Sequence, residues 1–355
     1  MLKYTPLLIG VSCIAVFCSK CLAQSTPSEF AEMNFQELFE QSIYEVDTER
    51  TQISPWLFGY QLKSVKFEGY LDGDKSLSYD DVLWSGPGKE DRTTKNFPVV
   101  PTTIYQQAHI ISLGYQFNSS WKGQISIPYL KQKTDHISIV SNYDFFVIET
   151  EGMGDIGVST SYKWSNPSTG IWRFSFGVSL PTGSIDEVGD TPRAPGDQEL
   201  PYTMQLGSGT YDFPIELSYK NIGLHDFNVS FSANIRTGHN SRNYRLGNNF
   251  SLNGRYQIEL SPTLRTYAEL GLVYSNDIHG QDDSLLVSAP IPYPASITNP
   301  KLFGGKKIDA GLGLSWKFAE DSQLNIEIGK PIYQNLNGPQ PKEQWRNSIS
   351  ISKVF

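Results

Sequence analysis

From residue 57 onward, hydrophobic and polar side chains alternate with a period of two in about twelve short segments. Such alternation is typical of β-strands that have one apolar and one polar face. The segments are 57–71, 106–117, 121–131, 153–164, 171–181, 208–220, 225–237, 248–259, 262–275, 306–318, 322–330 and 344–355. The pattern therefore predicts an all-β fold.

The gaps between these segments are alternately short and long. The gaps after even-numbered segments are the tight turns 118–120, 165–170, 221–224, 260–261 and 319–321. The gaps after odd-numbered segments have ten residues or more and are 72–105, 132–152, 182–207, 238–247, 276–305 and 331–343. Bacterial outer-membrane barrels carry short periplasmic turns and long external loops. The sequence thus predicts a transmembrane antiparallel up-and-down β-barrel of about twelve strands, with both termini on the periplasmic side.

Aromatic residues on the apolar face indicate that this face meets lipid. Beside the short turns this face carries Phe117, Trp121, Trp164, Trp172, Tyr219, Phe227, Trp316, Phe318 and Phe355. Rings gathered at one level form the interfacial girdle of a membrane barrel, and Tyr129, Tyr211 and Tyr274 indicate a second, sparser girdle above. We therefore expect outer-membrane lipids outside the barrel, a polar lumen inside, and a location in the outer membrane of a Gram-negative bacterium.

The N-terminal residues divide into two further segments. Residues 1–23 combine Lys3, an apolar stretch and small residues before Gln24, which predicts a signal peptide cleaved after Ala23. Residues 24–50 form a predicted periplasmic helical segment that begins with a capping-box pattern at 26–29. This helix either packs on the barrel or docks a partner, and the barrel itself is predicted over 51–355.

The composition limits the chemistry of the mature chain. All three cysteines lie in the predicted signal peptide, so no disulfide and no thiol nucleophile is expected. The five histidines share no ligand spacing, so neither a metal nor another cofactor is expected. Removing Lys3 and Lys20 changes the formal net charge from −8 to −10, which argues against nucleic acid as a partner.

Most of that negative charge lies in the predicted external loops. The six long gaps contain 19 acidic and 10 basic residues, a net charge of −9. The acidic loops are either simply solvated or bridged by divalent cations to lipopolysaccharide, and the sequence leaves both alternatives open. At the other end of the barrel, the last strand ends on Phe355, which resembles the signal by which the outer-membrane barrel assembly machinery recognises its substrates.

Four motifs resemble a known family. They are Gly152-Met-Gly-Asp155-Ile-Gly-Val, Gly177-Val-Ser-Leu-Pro181-Thr-Gly183-Ser, Leu206-Gly-Ser-Gly-Thr-Tyr-Asp212 and Pro331-Ile-Tyr-Gln-Asn-Leu-Asn-Gly338. In this order they are similar to the outer-membrane transporter family named for the meta-pathway of phenol degradation. The resemblance covers residues 150–355 and implies a channel distantly similar to those for long-chain fatty acids and aromatic hydrocarbons. The glycines and prolines also have a local explanation as turn residues.

Charged residues on the predicted inner face are the candidate site. These lumen-lining candidates are Arg173, Glu216, Arg255, Arg265, Glu269, Asp309, Glu327 and Arg346. They form either a charged constriction that filters solutes or a set of salt bridges that fills a narrow barrel.

Three functions follow from these patterns. The first is a passive channel for small, hydrophobic or aromatic, solutes. The second is a non-conducting barrel with a structural or adhesive role. The third is an outer-membrane lipid hydrolase using His136, Ser138 and Asn142, which the chance occurrence of a His-x-Ser triplet and its place in a loop disfavour. No catalytic residue, and hence no enzymatic activity, is expected.

Overall fold

A computed structural model describes residues 55–86, 89, 92–166, 170–221 and 226–355. The predicted signal peptide and N-terminal helix lie outside these residues. Among the described residues, no helix is both long and apolar enough to cross a membrane.

Seventeen strands, one short α-helix and four 3-10 helices (Tyr202–Met204, Asp283–Leu285, Ser296–Thr298 and Pro300–Leu302) make up the regular structure of the described residues. The long strands are β1 (Trp56–Gly73), β3 (Val99–Gln116), β4 (Trp121–Ser138), β5 (Phe145–Met153), β6 (Ile156–Asn166), β7 (Gly170–Leu180), β10 (Asp212–Lys220), β11 (Asp226–Arg236), β13 (Asn249–Ser261), β14 (Leu264–Ser275), β16 (Gly305–Ala319) and β17 (Ser322–Val354). The loops contain β2 (Lys75–Leu77), α1 (Tyr79–Leu83), β8 (Val188–Asp190), β9 (Asp197–Glu199), β12 (Tyr244–Arg245) and β15 (His279–Gly280).

The wall is a closed antiparallel barrel. Its order is β1, β3, β4, β6, β7, β10, β11, β13, β14, β16 and β17, and β17 pairs back with β1. β17 reverses direction near Gly338, since its residues up to Leu336 pair with β16 and its residues from Gln340 onward pair with β1. A side-chain hydrogen bond of 3.2 Å joins its two halves at Asn325 and Ser350. Counted by direction, the wall therefore has twelve segments, which confirms the predicted barrel.

The strands are longer than the sequence pattern predicts on the external side. β3 begins at Val99, and β4 continues to Ser138, where it pairs with β5. The predicted long gaps 132–152 and 331–343 are therefore wrong: the first shrinks to a turn at 139–144, and the second is mostly strand. Alternation of apolar and polar residues ends where the wall leaves the lipid, so the external ends of the strands carry no such signal.

The outer face of these extensions is charged. Lys131 pairs with Glu151 at 2.8 Å, and Lys133 with Glu149 at 2.7 Å, both across β4 and β5. A membrane strand needs only about 9–11 residues, and β4 has 18. The part of β4 beyond Tyr129 thus projects out of the apolar layer.

The apolar face points outward, as predicted. Leu270, Leu312 and Ile328 on three neighbouring strands are each 60% exposed, as expected for a wall that faces lipid. Near the short turns the aromatic side chains contact one another around the barrel. The ring pairs there are Trp164 with Trp172, Trp172 with Tyr219, Tyr219 with Phe227, and Trp316 with Phe318. This row is the predicted lower girdle.

Three long loops and the ends of strands pack together at the end of the barrel that the sequence predicts to be external. Tyr202 from the 181–211 loop packs edge-to-face on Tyr244 of the 237–248 loop and on Phe303 of the 276–304 loop, with ring centroids 4.7 and 5.6 Å apart. The apolar core of this loop dome is formed by Val99, Tyr202, Tyr244, Leu246, Ile278, Leu285, Ala295, Ile297 and Phe303. The external loops are therefore a folded layer with its own core.

Asp155 fixes one of these loops to the wall. It lies between β5 and β6, and its carboxylate accepts hydrogen bonds from Gly183 N (2.8 Å), Ser208 N (2.8 Å) and Ser208 Oγ (2.7 Å). Gly183 and Gly207 approach so closely that a Cβ on Gly207 would lie 2.4 Å from the Gly183 carbonyl oxygen. Both ends of the 181–211 loop thus meet at one buried carboxylate, which we call the Asp155 junction.

We expect Asp155→Ala to loosen the 181–211 loop. The change leaves the buried Ser208 N–H and the partly buried Gly183 N–H without an acceptor, which costs about 2–4 kcal/mol. Urea unfolding of the detergent-solubilised barrel should shift to lower concentration, and a protease should cut within 181–211 sooner. Asp155→Asn keeps one acceptor oxygen and should lie in between. Equal protease resistance in all three proteins would contradict the role given to this carboxylate.

Candidate functional site in the barrel lumen

The inner face of the barrel is mostly polar, apart from an apolar cluster in which Ala108, Ile110 and Leu130 pack against Leu206 of the 181–211 loop. Small hydroxyl and glycine residues dominate one side, on strands β4, β6, β7, β10 and β11. A cavity of about 760 Å³ lies against this wall and is lined by residues including Gln124, Ser126, Ser159, Ser175, Gly177, Glu216 and Asn234. The other side, on β13, β14, β16 and β17, carries most of the predicted charges around a second cavity of about 540 Å³.

Three of the predicted residues form one charge cluster. Arg255 on β13 lies 2.6 Å from Glu269 on β14 and 3.2 Å from Glu327 on β17. Its guanidinium also lies 4.0 Å from the centre of the Tyr267 ring, and the Tyr267 hydroxyl donates to Glu327 at 2.8 Å. The cluster thus bridges three strands of the wall and leaves one negative charge in excess.

Gly313 makes room for this cluster. A Cβ at this position would lie 2.1 Å from the Tyr267 ring, so the ring occupies the space above the glycine on the neighbouring strand β16. Any larger residue would push the ring off Arg255. The ladder between β14 and β16 places Tyr267 directly opposite Gly313, which is the reason for this packing.

A second cluster lies nearer the external end of the lumen. Arg346 is 2.9 Å from Asp309 and 2.7 Å from Glu343, and Lys307 is 3.1 Å from the same Glu343. Glu343 and Lys307 were missed by the sequence analysis. The sequence pattern placed Glu343 in the predicted gap 331–343. It placed Lys307 at the start of a predicted strand, whereas the candidate residues were the charges in the middle of the strands.

The remaining predicted residues lie apart from these clusters. Glu216 has Arg173 and Lys122 as its neighbouring cations on the hydroxyl-lined side. Arg265 lies near the periplasmic end, 3.5 Å from Glu259. The eight residues are therefore distributed around the lumen, most of them in ion pairs, and their role in transport stays a prediction.

Charged groups also hold the loop dome together. Arg242 of the 237–248 loop lies 2.5 Å from Glu199 and 2.8 Å from Asp186 of the 181–211 loop, and 3.5 Å from Asp282 of the 276–304 loop. Burial raises the pKa of Glu199 to about 7, Arg242 opposes this shift, and Asp282 and Asp186 add to it. One arginine thus faces three carboxylates where the three loops meet.

The fragment predicted for the hydrolase does not form an accessible site. His136 and Ser138 lie on β4, not in a loop as predicted, and they are 2% and 8% exposed. The His136 ring stacks on Phe146 with centroids 4.5 Å apart, and burial lowers its pKa to about 4. The Ser138 hydroxyl accepts a hydrogen bond from Val140 N. Among the described residues, no group of histidine, aspartate and glutamate side chains could hold a metal ion.

Comparison with solved structures identifies the fold. The COG4313 outer membrane channel from Pseudomonas putida F1 aligns over 88% of this chain and 100% of its own, with 13% identity and a TM-score of 0.55. The TodX monoaromatic hydrocarbon channel aligns over 85% of this chain and 91% of its own, with 10% identity and a TM-score of 0.41. No family model and no curated protein sequence matches the chain. The fold is that of an outer-membrane β-barrel.

We expect Arg255→Met to destabilise the barrel. The change leaves Glu269 and Glu327 close together without their cation, but the lumen keeps them partly hydrated, so the loss is about 1–3 kcal/mol. Urea unfolding followed by tryptophan fluorescence measures it. The triple variant that adds Glu269→Gln and Glu327→Gln should recover most of the stability, because it removes the repulsion. If the triple variant is less stable than Arg255→Met, repulsion is not the cause.

We expect the loop dome to be less stable at pH 8 than at pH 5.5. Because the pKa of Glu199 rises from 4.5 to about 7 in the folded dome, the folded dome binds a proton that the open loops release, and this stabilisation is lost as the pH rises through 7. Hydrogen exchange over 181–211, corrected for intrinsic rates, should show the difference. In Glu199→Gln the pH dependence should disappear; an unchanged dependence would assign it to another group.

Proposed function

We propose that the protein is a passive outer-membrane channel for small solutes. The observation that carries this proposal is the polar lumen inside a lipid-facing wall, with two cavities between the Asp155 junction and the periplasmic turns. Hydroxyl, amide and paired charged groups replace the hydration of a passing solute without holding it tightly. The resemblance of the four sequence motifs to the transporter family further supports small hydrophobic or aromatic molecules as the solutes.

The same proposal includes the cellular setting. We propose export by a cleaved signal peptide at residues 1–23, insertion by the barrel assembly machinery through the strand that ends at Phe355, and contact with lipopolysaccharide at the external rim. We also propose membership of the transporter family named for the meta-pathway of phenol degradation. Its support is that three of the four motifs meet at the Asp155 junction, which gives their order in the sequence a structural reason.

One observation favours a second function, a non-conducting barrel with a structural or adhesive role. The loop dome has a packed apolar core, and Arg242 ties three loops together above the lumen. A dome that never opens would seal the barrel. The absence of enzymatic activity remains a prediction, supported by the burial of His136 and Ser138.

Single-channel recording distinguishes these functions. The purified protein should produce discrete conductance steps in planar bilayers. A variant in which a short Gly-Ser turn replaces residues 279–303 removes much of the dome core and should conduct severalfold more. Both proteins must first show a different gel mobility before and after boiling, which marks a folded barrel. A native protein that never conducts, beside a variant that does, would contradict the channel and favour the sealed barrel.

A further inference from the structure

Basic side chains collect at the periplasmic end of the lumen on four successive wall strands. Lys122 on β4, Lys163 on β6, Arg173 on β7 and Lys220 on β10 all lie on the inward face, which alternates with the lipid-facing side chains. Each lies within about six residues of a short turn. We call these four residues the basic arc.

The arc brings like charges together. Lys163 and Arg173 are direct partners in the ladder between β6 and β7. Opposite positions in an antiparallel pair place Cβ atoms about 4.5–5.5 Å apart, where like charges destabilise the sheet. On the inward faces of the same strands and of the next strand, β11, the carboxylates near this end of the lumen are Glu216 and Asp226. Four cations and two carboxylates leave an excess of two positive charges. Glu216 lies beside Arg173 and Lys122 and offsets part of this charge, and an anion in the lumen would offset the remaining excess.

A cavity lies above the arc on the same wall. Two steps along the inward faces of β4 and β7, about 7 Å, lead from Lys122 to Gln124 and from Arg173 to Ser175, both of which line it. Its surface is mostly apolar, with hydroxyl and amide groups that can donate hydrogen bonds. Its two carboxylates are already engaged, Asp155 by the 181–211 loop and Glu216 by Arg173 and Lys122. A solute with a compact anionic group would therefore find donors in the cavity and cations below it.

We propose that the basic arc makes the channel selective for anions and that its solutes are small organic carboxylates. The inference rests on the proposed channel function and narrows its solute class. Lysine and arginine bind carboxylates through charge-assisted hydrogen bonds. A cluster of one sign inside a low-dielectric wall raises the local concentration of the opposite ion. A single ring that carries a carboxylate combines an apolar part for the cavity with an anionic group for the arc.

Reversal potentials in planar bilayers test the proposal. Under a KCl gradient the native channel should prefer chloride over potassium, and potassium benzoate should replace KCl with current still carried by the anion. Lys163→Gln should lower the anion-to-cation permeability ratio at least about twofold, and Lys163→Glu should lower it further. Lys353→Gln is the matched control, because Lys353 lies at the same end of the barrel but on the outer face, over the Phe355 ring.

The outcomes separate the inference from the function on which it rests. Absence of any conductance contradicts the channel itself. Conductance with a cation preference, or with a ratio that Lys163→Gln and Lys353→Gln change equally, overturns the anion inference and leaves the channel. Chloride selectivity without benzoate current, alongside flux of the neutral analogue benzyl alcohol into liposomes, overturns the carboxylate as solute. A selective loss in the Lys163 variants supports the proposal.

Discussion

Closure of the sheet is the constraint on which the rest of the structure depends. In lipid, each backbone N–H and C=O group must find its partner within the protein, and an open strand edge would leave a row of them unpaired. The pairing of β1 with the second half of β17, from Leu57 with Val354 up to Leu71 with Gln340, removes the last edge. Closure joins the first and the last strand of the sheet. Because the last strand is the second half of β17, the reversal of β17 near Gly338 is as necessary as any of the short turns.

Closure also determines what the loops can do. The strands end at different heights, and their external extensions form a rim on which loops can pack. The Asp155 junction uses this rim: it interrupts the wall between β5 and β6 and binds both ends of the 181–211 loop. Tyr202 at the far side of that loop then packs on Tyr244 and Phe303. A single buried carboxylate in the wall is thereby connected to the core of the dome.

The sequence predicted the part of the fold that alternation describes. In lipid, every second side chain must be apolar, so the strand positions, the two faces and the aromatic girdle could all be inferred from residues such as Trp164 and Trp172. Above the lipid this rule no longer applies, so the sequence pattern could not predict that β4 extends to Ser138. The same limit applies to the site: Arg255 and Glu269 were found, but Tyr267 and Glu343 were not, because partnerships across strands depend on register.

In the proposed channel, the cavity and the basic arc favour different parts of a solute. The surface of the cavity is mostly apolar, with hydroxyl and amide groups among the apolar atoms, whereas the arc below it is cationic. A purely apolar solute would fit the cavity, but on passing the arc it would displace water from the cations without replacing the lost hydrogen bonds. A small inorganic ion would pair with the arc and leave the apolar surface of the cavity uncovered. A ring that carries one carboxylate contacts both, so the cavity and the arc together favour amphiphilic solutes.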